Sequence, residues 1–140
     1  MTVRPAKIED AAAIAEICCD SLGYDCTAEL VKKKLKMLDL SREAVFVAEE
    51  DKVIGFVHVE KYDVLYMDTL ANILGLAVLA EYRRRGAATL LMNAAEEWAK
   101  ENGAIGVRLN SGGTRTGAHE FYRSIGYDSE KTQIRFLKMI

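Results

Sequence analysis

The sequence predicts an α/β (α+β) fold: a mixed, mostly antiparallel central sheet with helices on both sides. Three observations lead there. Apolar residues recur at helical spacing over residues 9–22, 27–38, 85–102 and 116–125. Residues 44–48, 53–62, 69–78 and 104–109 are apolar or alternating runs of strand length, bounded by turn residues. Taken in order, the elements read β-α-α-β-β-β-α-β-α-β-β. At 140 residues, half of them apolar and 29% charged, the chain is long enough to bury a real core as one domain, residues 1–140.

Residues 2–7 begin an edge strand, where the one proline, Pro5, is tolerated. Over residues 9–22, Ala11, Ile14, Ala15, Cys18 and Leu22 share a helical face, and Glu9 and Asp10 suit a first turn. Gly23-Tyr24-Asp25 breaks that helix. Thr27 is placed to cap the next, which turns Val31, Leu35 and Leu38 inward and leaves Lys32, Lys33, Lys34 and Lys36 in solvent. The turn Glu50-Asp51-Lys52 joins the second and third strands. In the third, Val53, Gly55, Val57 and Val59 take one face, and Ile54, Phe56, His58 and Glu60 the other. Gly55 within it signals a bulge or a close backbone approach.

Residues 69–78 form the fourth strand. In the helix of residues 85–102, Ala87, Leu91, Ala94 and Trp98 make one stripe, with Ala88, Ala95 and Ala99 beside it. Asn102-Gly103 is its stop. Residues 104–109 read as a buried strand, 110–114 as a Gly-rich loop, and 116–125 as a short helix ended by Gly126. Tyr127 starts another strand, and residues 132–140 close the sheet by hairpin pairing.

Composition narrows the function. A net charge of −2 argues against a general nucleic-acid binder. No apolar run approaches the ~20 residues that span a bilayer, and the first residues lack the apolar core of a signal peptide, so no membrane partner is expected. The three cysteines are odd in number, with Cys18 and Cys19 adjacent, which suits reduced thiols in a cytoplasmic protein better than a disulfide framework. Neither His58 nor His119 stands at metal-site spacing from them, so no metal is expected.

The sharpest signal lies at residues 73–102. An apolar strand, Ile73 to Leu79, runs into a polar turn with Arg83, Arg84 and Arg85. Three small residues follow, Gly86-Ala87-Ala88, and then a helix. The first N–H groups of a helix have no internal partner and carry the positive end of its dipole. Behind small residues they form a site for a phosphate or pyrophosphate. Neither Gly-x-x-x-x-Gly-Lys-Ser/Thr nor Gly-x-Gly-x-x-Gly occurs here.

The spacing Arg83-x-x-Gly86-x-Ala88 resembles the acetyl-CoA loop, Gln/Arg-x-x-Gly-x-Gly/Ala, of the GNAT superfamily of N-acetyltransferases. Leu76-Ala77-Val78 before it resembles the family's Leu-x-Val. Phe121-Tyr122-Arg123-Ser124-Ile125-Gly126-Tyr127 resembles its later Phe-Tyr-x-x-x-Gly-Phe/Tyr. Together the matches cover roughly residues 69–127.

The resemblance implies acetyl-CoA as co-substrate, its pyrophosphate held by backbone N–H groups of residues 84–89: Arg84, Arg85, Gly86, Ala87, Ala88 and Thr89. It implies a fourth strand splayed from the fifth, with Leu76, Ala77 and Val78 pairing with the pantetheine arm. A backbone N–H near Val78 would then stabilise the thioester oxyanion. Tyr122 becomes the general acid, because a phenol of pKa about 10 stays protonated at neutral pH and can protonate a departing thiolate. Arg115 stands where many members have an asparagine on the cofactor, and a cation there can meet a phosphate. The strand glutamate that serves many members as base is missing: Leu74 and Gly75 cannot accept a proton, and Asn72 is no base. His58, Glu60, Asp68, His119 and a water relay remain open.

With no cysteine in the matching region, direct attack in a ternary complex is expected. The acceptor is a primary amine on a small molecule or a peptide. In the resembled family the segment joining the first two helices borders the acceptor pocket, which makes Tyr24 and Asp25 candidates for substrate contact, and Asp25, Asp63, Asp68 and Glu60 are acids that would draw a cation. Assembly, up to a homodimer, is left open. The alternative from another class is a non-catalytic acyl-CoA-binding sensor.

Overall fold

The computed structural model describes residues 1–129 and 131–140. These group into two compact units, Met1–Leu109 and Asn110–Ile140. The first contains a five-stranded sheet in sequential order: β1 (Thr2–Pro5), β2 (Glu43–Glu49), β3 (Val53–Tyr62), β4 (Leu70–Val78) and β5 (Val107–Leu109). The first four pair antiparallel and β5 joins β4 in parallel, so the sheet is mixed and mostly antiparallel as the sequence predicts. Pro5 ends β1 on the sheet edge, where its missing N–H breaks no ladder.

Two features of β3 organise the sheet. Ala48 faces Gly55 and Glu49 faces Val53, which leaves Ile54 as a bulge. A Cβ on Gly55 would lie 3.0 Å from the Ala77 carbonyl oxygen and 3.2 Å from Leu91 Cδ1. Gly55 therefore marks both a bulge and a close approach, and lets α3 (Ala87–Glu101) sit down on the sheet. That helix covers the face of Val57 and Val59. The pair α1 (Ala11–Ile17) and α2 (Ala28–Lys36) packs together, with α1 against β3.

Helix ends follow local chemistry. The Thr27 hydroxyl accepts from the Leu30 N–H at 3.1 Å, the expected cap of α2. Asn102 and Gly103, the latter at φ 80°, end α3. Gly23, at φ 72°, ends the first helical segment, which is less uniform than predicted: a 3₁₀ turn (Ile8–Asp10), α1, then a π-helical turn (Cys18–Leu22). On α3 the buried line is Ala87, Leu91, Met92, Ala95 and Ala99, while Ala94 and Trp98 are half-buried. The buried face is thus rotated by about one residue from the predicted stripe, toward Met92, with Leu91 seated over Gly55.

Two strand expectations are corrected. Residues 104–109 yield only the three-residue, half-buried β5, because Ala104 still donates to Ala99 in the turn that closes α3. Ile105 donates to Thr69 and Gly106 accepts from Ala71, but paired strand residues run only from Val107 to Leu109. In the second unit, α4 (Thr116–Ser124) forms as expected. The strands expected from Tyr127 and over residues 132–140 do not: residues 127–129 and 131–140 hold no strand, and Ile134, Phe136, Leu137, Met139 and Ile140 are exposed. The Tyr127 N–H donates to the Tyr122 carbonyl, so this residue closes α4 instead of opening a ladder. A period-2 pattern makes no strand without a partner to pair.

Asp10 is the one charged residue in the core among those described. Its carboxylate accepts from Arg4 at 2.8 and 3.0 Å and from the Lys7 N–H at 2.7 Å, tying the start of the helical segment to β1. The Arg4 guanidinium holds the Asp10 carboxyl below the usual range, against the opposing effect of burial. Asp10→Ala is expected to cost about 1–3 kcal/mol in urea unfolding at neutral pH. Because the folded pKa is depressed, that contribution is complete above about pH 4 and disappears as pH falls through the folded value. The variant's stability should therefore approach the parent's in acid.

Candidate active site

In the first unit the strand–turn–helix segment of the sequence signal folds into a concave backbone. The turn after β4 passes through a 3₁₀ turn (Ala80–Tyr82) and extended Arg83. Arg84, at φ 65°, and Gly86, at φ 86°, then occupy the left-handed region. For arginine this costs on the order of 1 kcal/mol, and a non-glycine residue held there points to a functional constraint. Alternating backbone signs turn successive N–H groups toward one side. The helix starts at Ala87, two residues later than predicted, with Gly86 as N-cap and no side-chain cap. The amides of Ala87, Ala88 and Thr89 therefore lack intrahelical acceptors. A bound anion would complete that helix end.

β4 supplies the neighbouring surface. β5 pairs with it only at Ala71, Asn72 and Ile73, so among the described residues no strand of the sheet flanks residues 74–78 on that side. Leu79 donates to Ile54 of β3 at 2.8 Å. Strand alternation then turns the backbone groups of Leu76 and Val78 to the unpaired edge and those of Ala77 inward. The edge is an open template for an extended ligand with amide groups.

Two residues that sequence reasoning missed hold this edge in place. The Ser21 hydroxyl donates to the Val78 carbonyl at 2.6 Å, and Asp20 accepts from the Ala80 N–H at 2.9 Å. Both come from the π-helical turn, which brings them to the same side of the chain. They lie 57 and 60 residues from their partners, and no local pattern links them.

The three arginines separate. Arg83 donates through Nε to the Val78 carbonyl at 3.4 Å. The Arg84 side chain is exposed and makes no ion pair among the described residues. Arg85 turns to the β2–β3 turn, 3.3 Å from Glu50 and 5.0 Å over the Tyr82 ring, whose hydroxyl donates to Asp51. Its charge is already engaged there, leaving Arg84 as the freest cation beside the helix end.

Among the base candidates, His58 Nε2 lies 2.8 Å from Glu43 Oε1 across β2 and β3. Glu60 accepts from Asn72 at 2.8 Å, and Asn72 in turn accepts from Arg108 at 2.7 Å. Asp68 is exposed in the β3–β4 turn. Tyr24 and Asp25 are exposed between the π-helical turn and α2. Asp63 accepts from the Thr69 hydroxyl and from Arg42, which in that order keep its carboxyl below the usual range. Cys18, Cys19 and Cys26 are free thiols, and burial pushes the Cys18 thiol up to about 11, away from nucleophilic use at neutral pH. No cluster of metal-ligating side chains occurs among the described residues.

The second unit carries the remaining predicted residues. Arg115 caps the start of α4 and its N–H donates to the Gly112 carbonyl. His119 Nε2 lies 2.8 Å from that same carbonyl, a structural use of the ring. Tyr122 packs 5.3 Å from Phe121 and edge-on to Tyr127 at 6.1 Å. Burial raises its phenol above the usual value despite Arg115, so it stays protonated at neutral pH.

A model of the acetyltransferase (GNAT) family matches residues 11–127. An uncharacterised N-acetyltransferase of Chlorobaculum tepidum is 33% identical over 129 residues, covering 89% of this chain and 74% of that protein. A second, of Methanocaldococcus jannaschii, is 31% identical over 113 residues; the chain spans 47% of its length. Among solved structures, an aminoglycoside antibiotic 6'-N-acetyltransferase from Acinetobacter haemolyticus superposes with TM-score 0.83 at 20% identity, covering 100% of this chain and 99% of that one. An aminoglycoside N-acetyltransferase in complex with CoA superposes at 0.81 with 18% identity, covering 99% of this chain and 100% of that one. At such identities the likeness is one of fold.

Proposed function

Because the chain belongs to the GNAT family of acetyltransferases, we propose that residues 1–140 act as one domain that transfers the acetyl group of acetyl-CoA to a primary amine, by direct attack in a ternary complex. One observation carries the donor assignment: the uncapped start of α3, reached through left-handed Arg84 and Gly86, lies at the end of the unpaired edge of β4. A diphosphate fits the first feature, and an amide-bearing arm fits the second. The donor supplies an activated thioester.

The chain's own residues do the rest. Backbone amides of residues 84–89 bind the diphosphate, with Arg84 adding charge. Leu76 offers its backbone groups to the arm, Ala77 keeps the strand in the sheet, and the N–H of Val78, whose carbonyl is taken by Ser21 and Arg83, stabilises negative charge developing on the acyl oxygen. Ser21 and Asp20 keep that edge in position. Tyr122 protonates the departing sulfur, a role supported by its motif and its un-ionised phenol. Arg115 supplies a further cation for the donor's phosphates. The acceptor is a small-molecule or peptide amine; the aminoglycoside enzymes of like fold make an aminoglycoside amine a good first probe.

Free-thiol release from acetyl-CoA across a panel of aminoglycosides, polyamines, and peptides with free N-termini or lysines tests the reading. Release with at least one amine is expected. Heat on titration with coenzyme A but no release with any amine would favour a sensor module. No heat at all would remove the donor site.

A further inference from the structure

The base that the sequence leaves open is distinguishable by geometry, on the premise of the acetyltransfer reading above. On the sheet face opposite α3, β3 presents His58 and Glu60 to β4 at different levels. Glu60 faces Asn72, where β5 still pairs with β4, and the side chains of Asn72 and Arg108 extend across from it. Between Glu60 and the unpaired edge of β4 the face is thus filled. His58 stands one step nearer the donor loop and faces Gly75.

That level is different in kind. The register shift between His58 and Val59 leaves Leu74 as a bulge on β4, just past the last residue that β5 pairs. A Cβ on Gly75 would meet only the Phe56 ring, at 3.5 Å. Gly75 itself puts no side chain between His58 and the unpaired edge. One step further, Phe56 and Ala77 are buried, so His58 is the last polar residue of β3 before the core.

The imidazole is also oriented. Glu43 as a carboxylate only accepts, so the 2.8 Å contact requires a proton on Nε2 of a neutral ring, and Nδ1 is left bare. A carboxylate behind a histidine fixes its tautomer and the orientation of its ring. Strand spacing sets the span: a donor arm added beyond β4 would lie two spacings from β3, about 10 Å. The imidazole covers part of that width, and a water over Gly75 would bridge the remainder.

We propose that His58, held by Glu43, is the general base that takes the proton of the acceptor amine through the gap over Gly75. The amine nitrogen forms its bond to the acyl carbon as the carbon–sulfur bond breaks. The nitrogen's proton passes by way of the water to His58 Nδ1, and the sulfur keeps the bonding pair and is protonated separately. His58 then releases its proton to solvent.

His58→Ala and His58→Gln are tested with the best amine from the panel; glutamine keeps a donor for Glu43. Both are expected to lower kcat about 10²-fold, with the affinity for coenzyme A changed less than about twofold. Added imidazole should restore a substantial part of the rate in the alanine variant only. Glu60→Gln should stay within a few-fold of the parent. Undiminished kcat in folded His58→Gln, no rescue by imidazole, or a larger loss in Glu60→Gln would each overturn the assignment. Absence of thiol release from the unsubstituted protein would remove the acetyltransfer reading, and this base with it.

Discussion

Tyr122→Phe is expected to lower kcat about 10²-fold while leaving the affinity for coenzyme A unchanged. General acid catalysis is worth roughly 10²–10⁴ in rate, and phenylalanine removes only the proton donor. The fold should tolerate the change, since the hydroxyl bonds to no described residue and the ring keeps its contacts with Phe121 and Tyr127. Burial keeps the phenol un-ionised, so no pH near neutrality should mimic the substitution. Steady-state rates of thiol release, paired with calorimetric titration of coenzyme A, read the two quantities separately. A kcat within threefold of the parent would show that solvent or another group protonates the sulfur.

Gly86→Val is expected to weaken coenzyme A binding at least tenfold. Gly86 sits at φ 86°, which a β-branched residue reaches only with strain of about 1–3 kcal/mol. Relief of that strain would rotate the first amides of α3 away from the ligand. A tenfold loss corresponds to about 1.4 kcal/mol, less than one good charge-assisted hydrogen bond. A Cβ at this position meets no protein atom within 4 Å, so internal packing would not be the cause. Gly86→Asn is the companion, because asparagine tolerates the left-handed region. Retained binding in Gly86→Asn alongside loss in Gly86→Val would identify backbone conformation as the requirement. Loss in both would identify the space itself. Unchanged affinity in Gly86→Val would remove the helix start from the donor site.

The two predictions rest on unlike footings. Gly86 was legible before any coordinates as a small residue at a helix start that lets a ligand approach the backbone; its positive φ, which glycine adopts without strain, is the structure's addition. Tyr122 was legible only through its motif. Its ring packing explains the un-ionised phenol, which no sequence pattern reports. The arginine run illustrates the opposite case. As sequence, Arg83, Arg84 and Arg85 are equivalent charges beside one loop. In the fold Arg85 is drawn off to Glu50 and Tyr82, Arg83 caps a carbonyl, and Arg84 alone remains uncommitted.

What the sequence by itself determined is the local and the periodic. The Thr27 cap, the glycine stops at Gly23 and Gly103, the two faces of β3 and the small-residue start of α3 are governed by residues within a turn or two of each other. Only the tertiary structure decided the rest. The pairing of Glu43 with His58, the hold of Ser21 on Val78, the opening over Gly75 and the failure of residues 132–140 to form a strand depend on which distant segments come side by side and in what register. Hydrogen bonds and ion pairs act only over a few ångströms, so residues far apart in the chain carry no mark of a partner until folding sets that distance.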